Sequence, residues 1–473
     1  MQSNTNLKTI AAVIPRGEVI RNFIHSGALD AVAEKAAVSL ISVSFDDETN
    51  RSLTEKYGDV HPLNEYRERW LVRFEREILD TAHNRWVWSP ASRSRVRLHD
   101  AAAISTRQKF VRAAKKVISR PLANRVGLGA LSKIERVSSR LLKTTDEYLN
   151  LMKKLQPSLV FNGSHVHSRV ATQAVQAAQW LKIPTATFIF SWDNLTSQGR
   201  IMLPYDYFLV WNEELKIQLL EMYKQIRPEQ VFVTGTPQFD FHFRPQFYQT
   251  HEKFCAEVGA DPKRPIVFYT TGMANHMPGE PELVAGIADI LSEIGGSNPP
   301  QLLVRVYPKD LTGRFETLKK ARPDILFQKT VWEKSWLTPK YADSFGLINA
   351  LRHCALGINI ASTVSLELCM FDKPVINVGY NPPGAPSEHR FADFYEFDHY
   401  RPVVSSGAVE VAFNPRQMRE MINNYLSQPT YRKNERRELI NKMFGETLDG
   451  KSAQRVAQTL LGIVEHNGAK AQL

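Results

Sequence analysis

The sequence predicts an α/β protein built from two doubly wound, parallel-sheet domains, the first carrying a basic helical insertion. Three observations point to it. Short apolar runs alternate with helical patterns in two successive blocks. The pattern changes near residues 241–262, where Phe241 to Pro245 close one series and Asp261-Pro262-Lys263-Arg264-Pro265 opens the next. Positive charge is concentrated in one stretch of the first block.

In the first block the predicted strands are Ile10–Ile14, Val38–Ser44, Leu159–Asn162, Ala186–Phe190, Tyr207–Val210 and Val231–Thr234. Helical patterns lie between them, for example Glu213 to Gln225. In the second block they are Ile266–Thr270, Leu302–Val306, Ile325–Phe327, Leu356–Ile360 and Pro374–Val378. These runs divide the chain into residues 1–245, with the insertion at about 90–155, then 246–430, then a helical end at 431–473. At ~150 residues per domain, 473 residues suggest two or three domains.

Composition excludes several classes. With 43% hydrophobic residues and 23% charged residues, the chain is neither disordered nor collagenous. Cys255, Cys354 and Cys369 are its only cysteines and show no CxxC spacing, so neither a disulfide framework nor a zinc ribbon is expected. A reducing cytoplasm fits that count. No apolar run approaches the roughly 18–20 residues that span a bilayer. Ile10–Ile14, between Lys8 and Pro15, is too short for a signal-peptide core and reads as a first buried strand. The expectation is a cytoplasmic protein, with peripheral attachment to the inner membrane face left open.

Residues Arg93 to Lys154 hold sixteen basic and four acidic side chains, an excess of twelve against eleven for the whole chain. Apolar residues recur there at helical spacing: Phe110, Val111, Ala114 and Val117, then Leu131, Ile134, Val137, Leu141 and Leu142. Basic amphipathic helices lie on anionic membranes, each Lys or Arg contributing about 1 kcal/mol. The plainer alternative is a solvated helical insertion with no partner. Nucleic acid is not expected, because the stretch has no recognised binding motif and no interleaved aromatics.

In open parallel sheets, ligands bind beyond the carboxyl ends of the strands. The loops that follow the strands therefore carry the candidates. After the first strand, Gly17 permits a tight turn, and Glu18 is a candidate general base or merely a dipole-stabilising helix start. The loop Asn162-Gly163-Ser164-His165-Val166-His167 offers donors and two histidines, at a spacing that argues against a metal. Ser191-Trp192-Asp193-Asn194-Leu195-Thr196-Ser197 suits a polyhydroxyl ligand, with Asp193 a second candidate base; otherwise it is an Asx-type cap. Arg305 and Lys309 could hold a diphosphate and stabilise its departure. Gly272 is grouped with them as donor-side.

The most informative stretch runs from Gly357 to Ile376. A strand ends at Ile360, and Ser362, Thr363 and Ser365 open a helix whose N–H groups could cradle phosphate. Glu367 lies one turn in, placed to accept hydrogen bonds from ribose hydroxyls.

This Ser362-Thr363-x-Ser365-x-Glu367 stretch, followed by Lys373-Pro374-Val375-Ile376, resembles the donor-nucleotide motif of GT-B glycosyltransferases. The resemblance is nearest to the bacterial surface-glycan and CDP-glycerol glycerophosphotransferase-like groups. Tyr205-Asp206-Tyr207 to Asn212 resembles their D…(F/V)…N/S strand, and Val233 to Asp240 resembles VTGxPxxD. Asp449-Gly450-Lys451-Ser452 to Arg455 resembles the DGKAxxR ending. The resemblance implies two Rossmann-like domains, a nucleotide-activated sugar as co-substrate in the second, and a glycan or lipid-linked acceptor in the first. It also implies no cofactor or obligatory metal, and a final helix returning to the first domain. Ser362, Thr363, Ser365 and Glu367 would hold donor phosphate and ribose. Gly17, Asn162, His165, Trp192 and Asn194 would serve the acceptor.

Two departures matter. Tyr307-Pro308 stands where the CDP-glycerol-like group often has His-Pro, which favours sugar transfer. Glu18 stands where many sugar transferases place a histidine. The expected activity is glycosyl transfer at the cytoplasmic membrane face, which the resemblance to the surface-glycan group implies to be metal-independent and inverting. The alternatives are glycerophosphate transfer, nucleotide-sugar 2-epimerisation, or a non-catalytic membrane-associated binding protein.

Overall fold

The computed structural model describes residues 8–470 apart from 66, 67, 102, 104, 143, 144, 167, 198, 199, 387 and 388. The chain divides into two compact units. Unit 1 gathers Met1–Asp240, Glu333–Pro339 and Thr447–Leu473, and unit 2 gathers Phe241–Trp332 and Lys340–Glu446.

Unit 1 is built on seven parallel strands: β1 (Thr9–Ile14), β2 (Ala37–Ser42), β3 (Val60–Pro62), β4 (Leu159–Asn162), β5 (Thr185–Phe188), β6 (Tyr207–Val210) and β7 (Val231–Val233). Their order is β3-β2-β1-β4-β5-β6-β7, so the winding reverses between β1 and β4. Strands covered on both faces read as unbroken apolar runs rather than alternating ones, as Ile10-Ala11-Ala12-Val13-Ile14 does. Phe23 packs edge-on against Phe161 and Phe188, with ring centroids 5.1 and 5.2 Å away, and ties the first helical turn region to the sheet.

Unit 2 repeats the scheme with β8 (Ile266–Thr270), β9 (Gln301–Arg305), β10 (Leu326–Phe327), β13 (Leu356–Asn359), β14 (Val375–Val378) and β15 (Glu410–Ala412); between β10 and β13 the chain forms a separate short ribbon of β11 (Trp332–Glu333) and β12 (Thr338–Pro339), most of it grouped with unit 1. The order is β10-β9-β8-β13-β14-β15, reversing between β8 and β13. Its core joins Val267, Tyr269, Val304, Ile358 and Ile376 to the helices Glu280–Ser292 and Pro415–Ser427. β3 (Val-His-Pro) and β15 (Glu-Val-Ala) were not expected, because they lack the unbroken apolar run that marks the equally short β7 (Val-Phe-Val). The helix expected to Gln225 stops at Met222, because Tyr223 leaves helical geometry at φ −117°, ψ 78°.

The terminal motifs meet inside unit 1. Asp240, the last residue of Val233-Thr-Gly-Thr-Pro-Gln-Phe-Asp240, caps the helix Ser452–Lys470. Its two carboxylate oxygens accept the N–H groups of Ser452 and Ala453 at 3.0 and 2.7 Å. Gly235 has φ +74°, and a Cβ there would lie 2.4 Å from Ser452 Oγ. Arg455 donates to the Thr234 carbonyl at 2.9 Å and pairs with Asp449. The two motifs are thus halves of one clamp. Asp206 and Asn212 are also structural: Asp206 accepts the Thr185 N–H, and Asn212 caps the helix Glu213–Met222.

The insertion between β3 and β4 comprises the helices Trp70–Val87, Pro90–Ala101, Thr106–Ser119, Arg125–Leu141 and Asp146–Leu155. Arg76 on the first is buried and pairs with Glu135 and Glu68. Because both carboxylates face it, its burial is compensated. No helix among the described residues is long and apolar enough to cross a membrane.

Candidate functional site

The carboxyl edge of the unit 1 sheet begins where β1 passes through Pro15 and Arg16 into the helix Gly17–Ile20, which widens into a π-turn at Arg21–His25. Such turns recur at functional sites. Gly17 is required by contact: a Cβ would lie 2.1 Å from Thr338 Oγ1 and 2.4 Å from Thr338 Cα. Glu18 is buried, and its Oε2 lies 2.9 Å from Arg16 Nε.

Asn162 ends β4 fully buried. Its Nδ2 donates to the Ser164 carbonyl and the Tyr205 hydroxyl, at 3.0 and 2.7 Å, so it shapes the loop rather than facing a ligand. His165 is buried beside the Phe188 carbonyl and the Phe190 N–H. Burial lowers its pKa to about 4, so the ring is neutral near pH 7. His167 lies outside the described residues. Trp192 is buried, and Asn194 Oδ1 accepts the Ser191 N–H at 2.8 Å. Asp193 is half-buried, and its Oδ2 accepts Ser197 Oγ–H at 2.7 Å. Glu18 and Asp193 are therefore carboxylates on one sheet edge, each with a partner that fixes its rotamer.

In unit 2 the loop after β8 is held by a buried carboxylate that the sequence reading missed. Glu280 accepts the Gly272 N–H with both oxygens at 3.0 and 3.1 Å, accepts the Tyr269 hydroxyl at 3.0 Å, and pairs with Arg314 at 2.7 Å. Burial pushes the Glu280 carboxyl up to about 7 against the pull of Arg314. At Gly272 a Cβ would lie 2.0 Å from Met277 Sδ, so a side chain there requires the Met277 side chain to move.

Arg305, at the end of β9, is buried and committed: it donates to Asp343 Oδ2 at 2.6 Å and Gln328 Oε1 at 3.0 Å. Lys309 is half-buried, its Nζ 5.7 Å from the Tyr307 ring centre. Beyond β13, Ala361 adopts φ +43°, and Ser362 N–H turns back to Asn359 Oδ1 at 3.1 Å. The Val364 N–H donates to Ser362 Oγ at 3.2 Å. Ser365 is fully buried in a network with Asn359, Asn377 and Tyr400. Two of the loop's amides and two of its hydroxyls, those of Ser362 and Ser365, therefore build the turn itself, while the Ser362 and Thr363 residues are half-buried.

Glu367 is 8% exposed, and its Oε2 lies 3.0 Å from His242 Nε2. Phe371 stacks on the imidazole at 5.3 Å, and Tyr248 donates its hydroxyl to the His242 carbonyl. No spacing links positions 242 and 367, and that is why His242 was not among the expected site residues. Among the described residues no three His, Cys, Asp or Glu side chains gather as metal ligands.

No protein-family model and no curated protein matches the chain. Solved structures do. UDP-GlcNAc 2-epimerase from Neisseria meningitidis bound to UDP-GlcNAc aligns with a TM-score of 0.54 and 11% identity, over 96% of this chain and 100% of that one. UDP-GlcNAc 2-epimerase from Methanocaldococcus jannaschii aligns with a TM-score of 0.50 and 14% identity, over 96% and 99%. A glycosyltransferase from Rickettsia africae ESF-5 aligns with a TM-score of 0.50 and 13% identity, over 98% of both chains. The fold they share with this chain is the GT-B fold expected from the motifs.

Proposed function

We propose that the chain is a metal-independent glycosyltransferase that moves a sugar from a nucleotide-activated donor to a surface-glycan or lipid-linked acceptor at the cytoplasmic membrane face. The observation that carries this reading is the Glu367 carboxylate just beyond β13, partly accessible and held by His242. The GT-B fold supports it as the ribose-binding position. Unit 2, with Phe241–Trp332 and Lys340–Glu446, is then the donor side rather than 246–430, and unit 1 is the acceptor side with Thr447–Leu473 as its returning end. Ser362, Thr363 and Lys309 serve the donor phosphates, and Gly272 keeps the neighbouring loop close. Arg305 and Ser365 act by positioning, since their polar atoms are already engaged. Gly17, Asn162, His165, Trp192 and Asn194 shape the acceptor loops.

The transfer is a direct displacement. Asp193 or Glu18 takes the proton from an acceptor hydroxyl, whose oxygen bonds to the anomeric carbon. The bond from that carbon to the diphosphate oxygen breaks, and its electron pair leaves with the nucleoside diphosphate. Inversion follows from one displacement. The basic segment Arg93–Lys154 brings the protein to an anionic surface.

Epimerisation of a nucleotide sugar is the second reading, favoured by the fold shared with the 2-epimerases. Thermal shift against UDP, GDP, CDP, CMP and their sugars, with native chain and Glu367→Ala, tests the donor assignment. Saturating ligand at 100 times its dissociation constant adds about 2.7 kcal/mol to stability. A UDP or GDP response lost in the variant supports sugar transfer, and a CDP response alone points to glycerophosphate transfer. Isomerisation of the nucleotide sugar without acceptor establishes the epimerase. No response to any nucleotide removes the enzyme reading.

A further inference from the structure

The helix Arg125–Leu141 buries Glu135 and Ser139 on the same side as the half-buried Leu128 and Leu131, and leaves a second set of apolar residues outward. At 100° per residue, Glu135 and Ser139 fall about 40° apart on one side. Both are buried, against Arg76 and Gln176 respectively. Val126, Ile134, Val137 and Leu141 fall within an arc of about 80° on the opposite side. They are 82%, 50%, 49% and 74% exposed. A surface helix of a globular protein normally buries its apolar stripe. This one also presents a second apolar stripe outward and borders it on one side with Lys133, Arg136 and Arg140.

Those three cations also line a cavity of about 600 Å³ in unit 1, together with Lys182, Trp180 and Tyr207. Arg140 stands over the Trp180 ring at 5.6 Å. The cavity opens where Ile183-Pro184 enters β5 and Pro204 to Asp206 enters β6. It therefore lies at the amino edge of the sheet, opposite the edge carrying Asn162, His165 and Asp193. Four cations face one carboxylate, Asp206, which is already hydrogen-bonded to Thr185.

We infer that this face docks on an anionic bilayer, with the cavity taking a lipid phosphate headgroup while Val126, Ile134, Val137 and Leu141 enter the acyl boundary. The combination of outward apolar stripe and cationic border is that of an interfacial helix. The cavity adds a seat for one phosphate, with guanidinium donors suited to its oxygens. This deepens the surface-attachment reading above and rests on it, but it is independent of the donor assignment.

The test is co-sedimentation of the full chain with phosphatidylcholine vesicles, with and without phosphatidylglycerol. The variants are R136E/R140E, the more exposed pair K133E/K182E, and R107E/K109E on the neighbouring helix; circular dichroism and melting confirm that each is folded. The expected result is binding only to the anionic vesicles, weakened about tenfold or more in both cavity pairs. Their nucleotide-induced thermal shifts should match the native chain. Native-like binding by the cavity variants, with loss only in R107E/K109E, overturns the cavity while leaving the segment's role. No binding by the native chain overturns both. A thermal shift with soluble glycerol phosphate, absent in R136E/R140E and without vesicle binding, makes the cavity a soluble-phosphate site and overturns the lipid.

Discussion

His242 Nε2 and Glu367 Oε2 lie 3.0 Å apart within unit 2, with Phe371 stacked on the imidazole. The ring is pinned by that stack and by Tyr248 on its backbone, and it fixes one carboxylate rotamer. Glu367→Ala removes the acceptor itself and is expected to weaken nucleotide binding by more than about tenfold. His242→Ala keeps the carboxylate but frees its rotamer, so a loss of about three- to tenfold is expected. Calorimetric titration with the nucleotide that shifts the melting point separates the two. Equal losses would mean that His242 touches the ligand directly.

Arg305 gives a contrasting expectation. Its guanidinium is bound to Asp343 and Gln328, and Asp343 also accepts the Val331 N–H and Trp332 Nε1–H. Arg305→Met strips one partner from a buried pair, a change that costs about 3–5 kcal/mol in such sites. The two remaining donors on Asp343 place the expected loss near the lower figure. Denaturant unfolding should show that loss, while nucleotide affinity of the folded variant changes less than about threefold. A large affinity loss at native stability would return Arg305 to the diphosphate.

The parallel order of the strands was legible because doubly covered strands are unbroken apolar runs, as in Ile10–Ile14 and Ile266–Thr270. β3 and β15 were not, since Val-His-Pro and Glu-Val-Ala form no apolar run, unlike the equally short β7. The position of Glu367, one turn into a helix after a strand, was legible, whereas its pairing with His242 was not. The Glu280–Arg314 and Arg305–Asp343 pairs were not, because they join residues 34 and 38 positions apart across separate loops. The charge of Arg93–Lys154 was legible, but which side of its helices faces out was decided by Arg76 and Gln176 elsewhere in the chain.

The two loop glycines should respond differently to alanine. At Gly17 the new methyl meets the Thr338 backbone at 2.4 Å, which has no rotamer to give way. Gly17→Ala is therefore expected to cost about 1–3 kcal/mol or more by overpacking. At Gly272 the obstacle is Met277 Sδ at 2.0 Å, on a flexible side chain. Gly272→Ala should cost less, and Met277→Ala in the same chain should recover part of the loss. Urea unfolding of the three variants gives the coupling directly. Additive losses for the Gly272–Met277 pair would contradict the contact.

The buried histidines set the direction of acid sensitivity. Burial holds the pKa of His165 at about 4 and that of His83 at about 3, while an unfolded histidine titrates near 6.5. Between those limits the unfolded chain binds protons that the folded chain refuses. Each histidine then adds stability as pH rises, about 1.4 kcal/mol per pH unit, and that stability is lost as pH falls through the window. Glu280 acts oppositely. Its pKa of about 7 lies above the ordinary carboxyl value of 4.5, so between them the folded chain holds the extra proton and stability falls as pH rises. Urea midpoints between pH 5 and 6.5 resolve the two. His165→Gln should flatten the rise of stability with pH by about 1.2 kcal/mol per unit near pH 5 and about 0.7 near pH 6.5. Glu280→Gln, which removes the opposing group, should steepen it. An unchanged slope in His165→Gln would mean that the ring is already charged in the folded chain, in conflict with its full enclosure beside the Phe188 carbonyl.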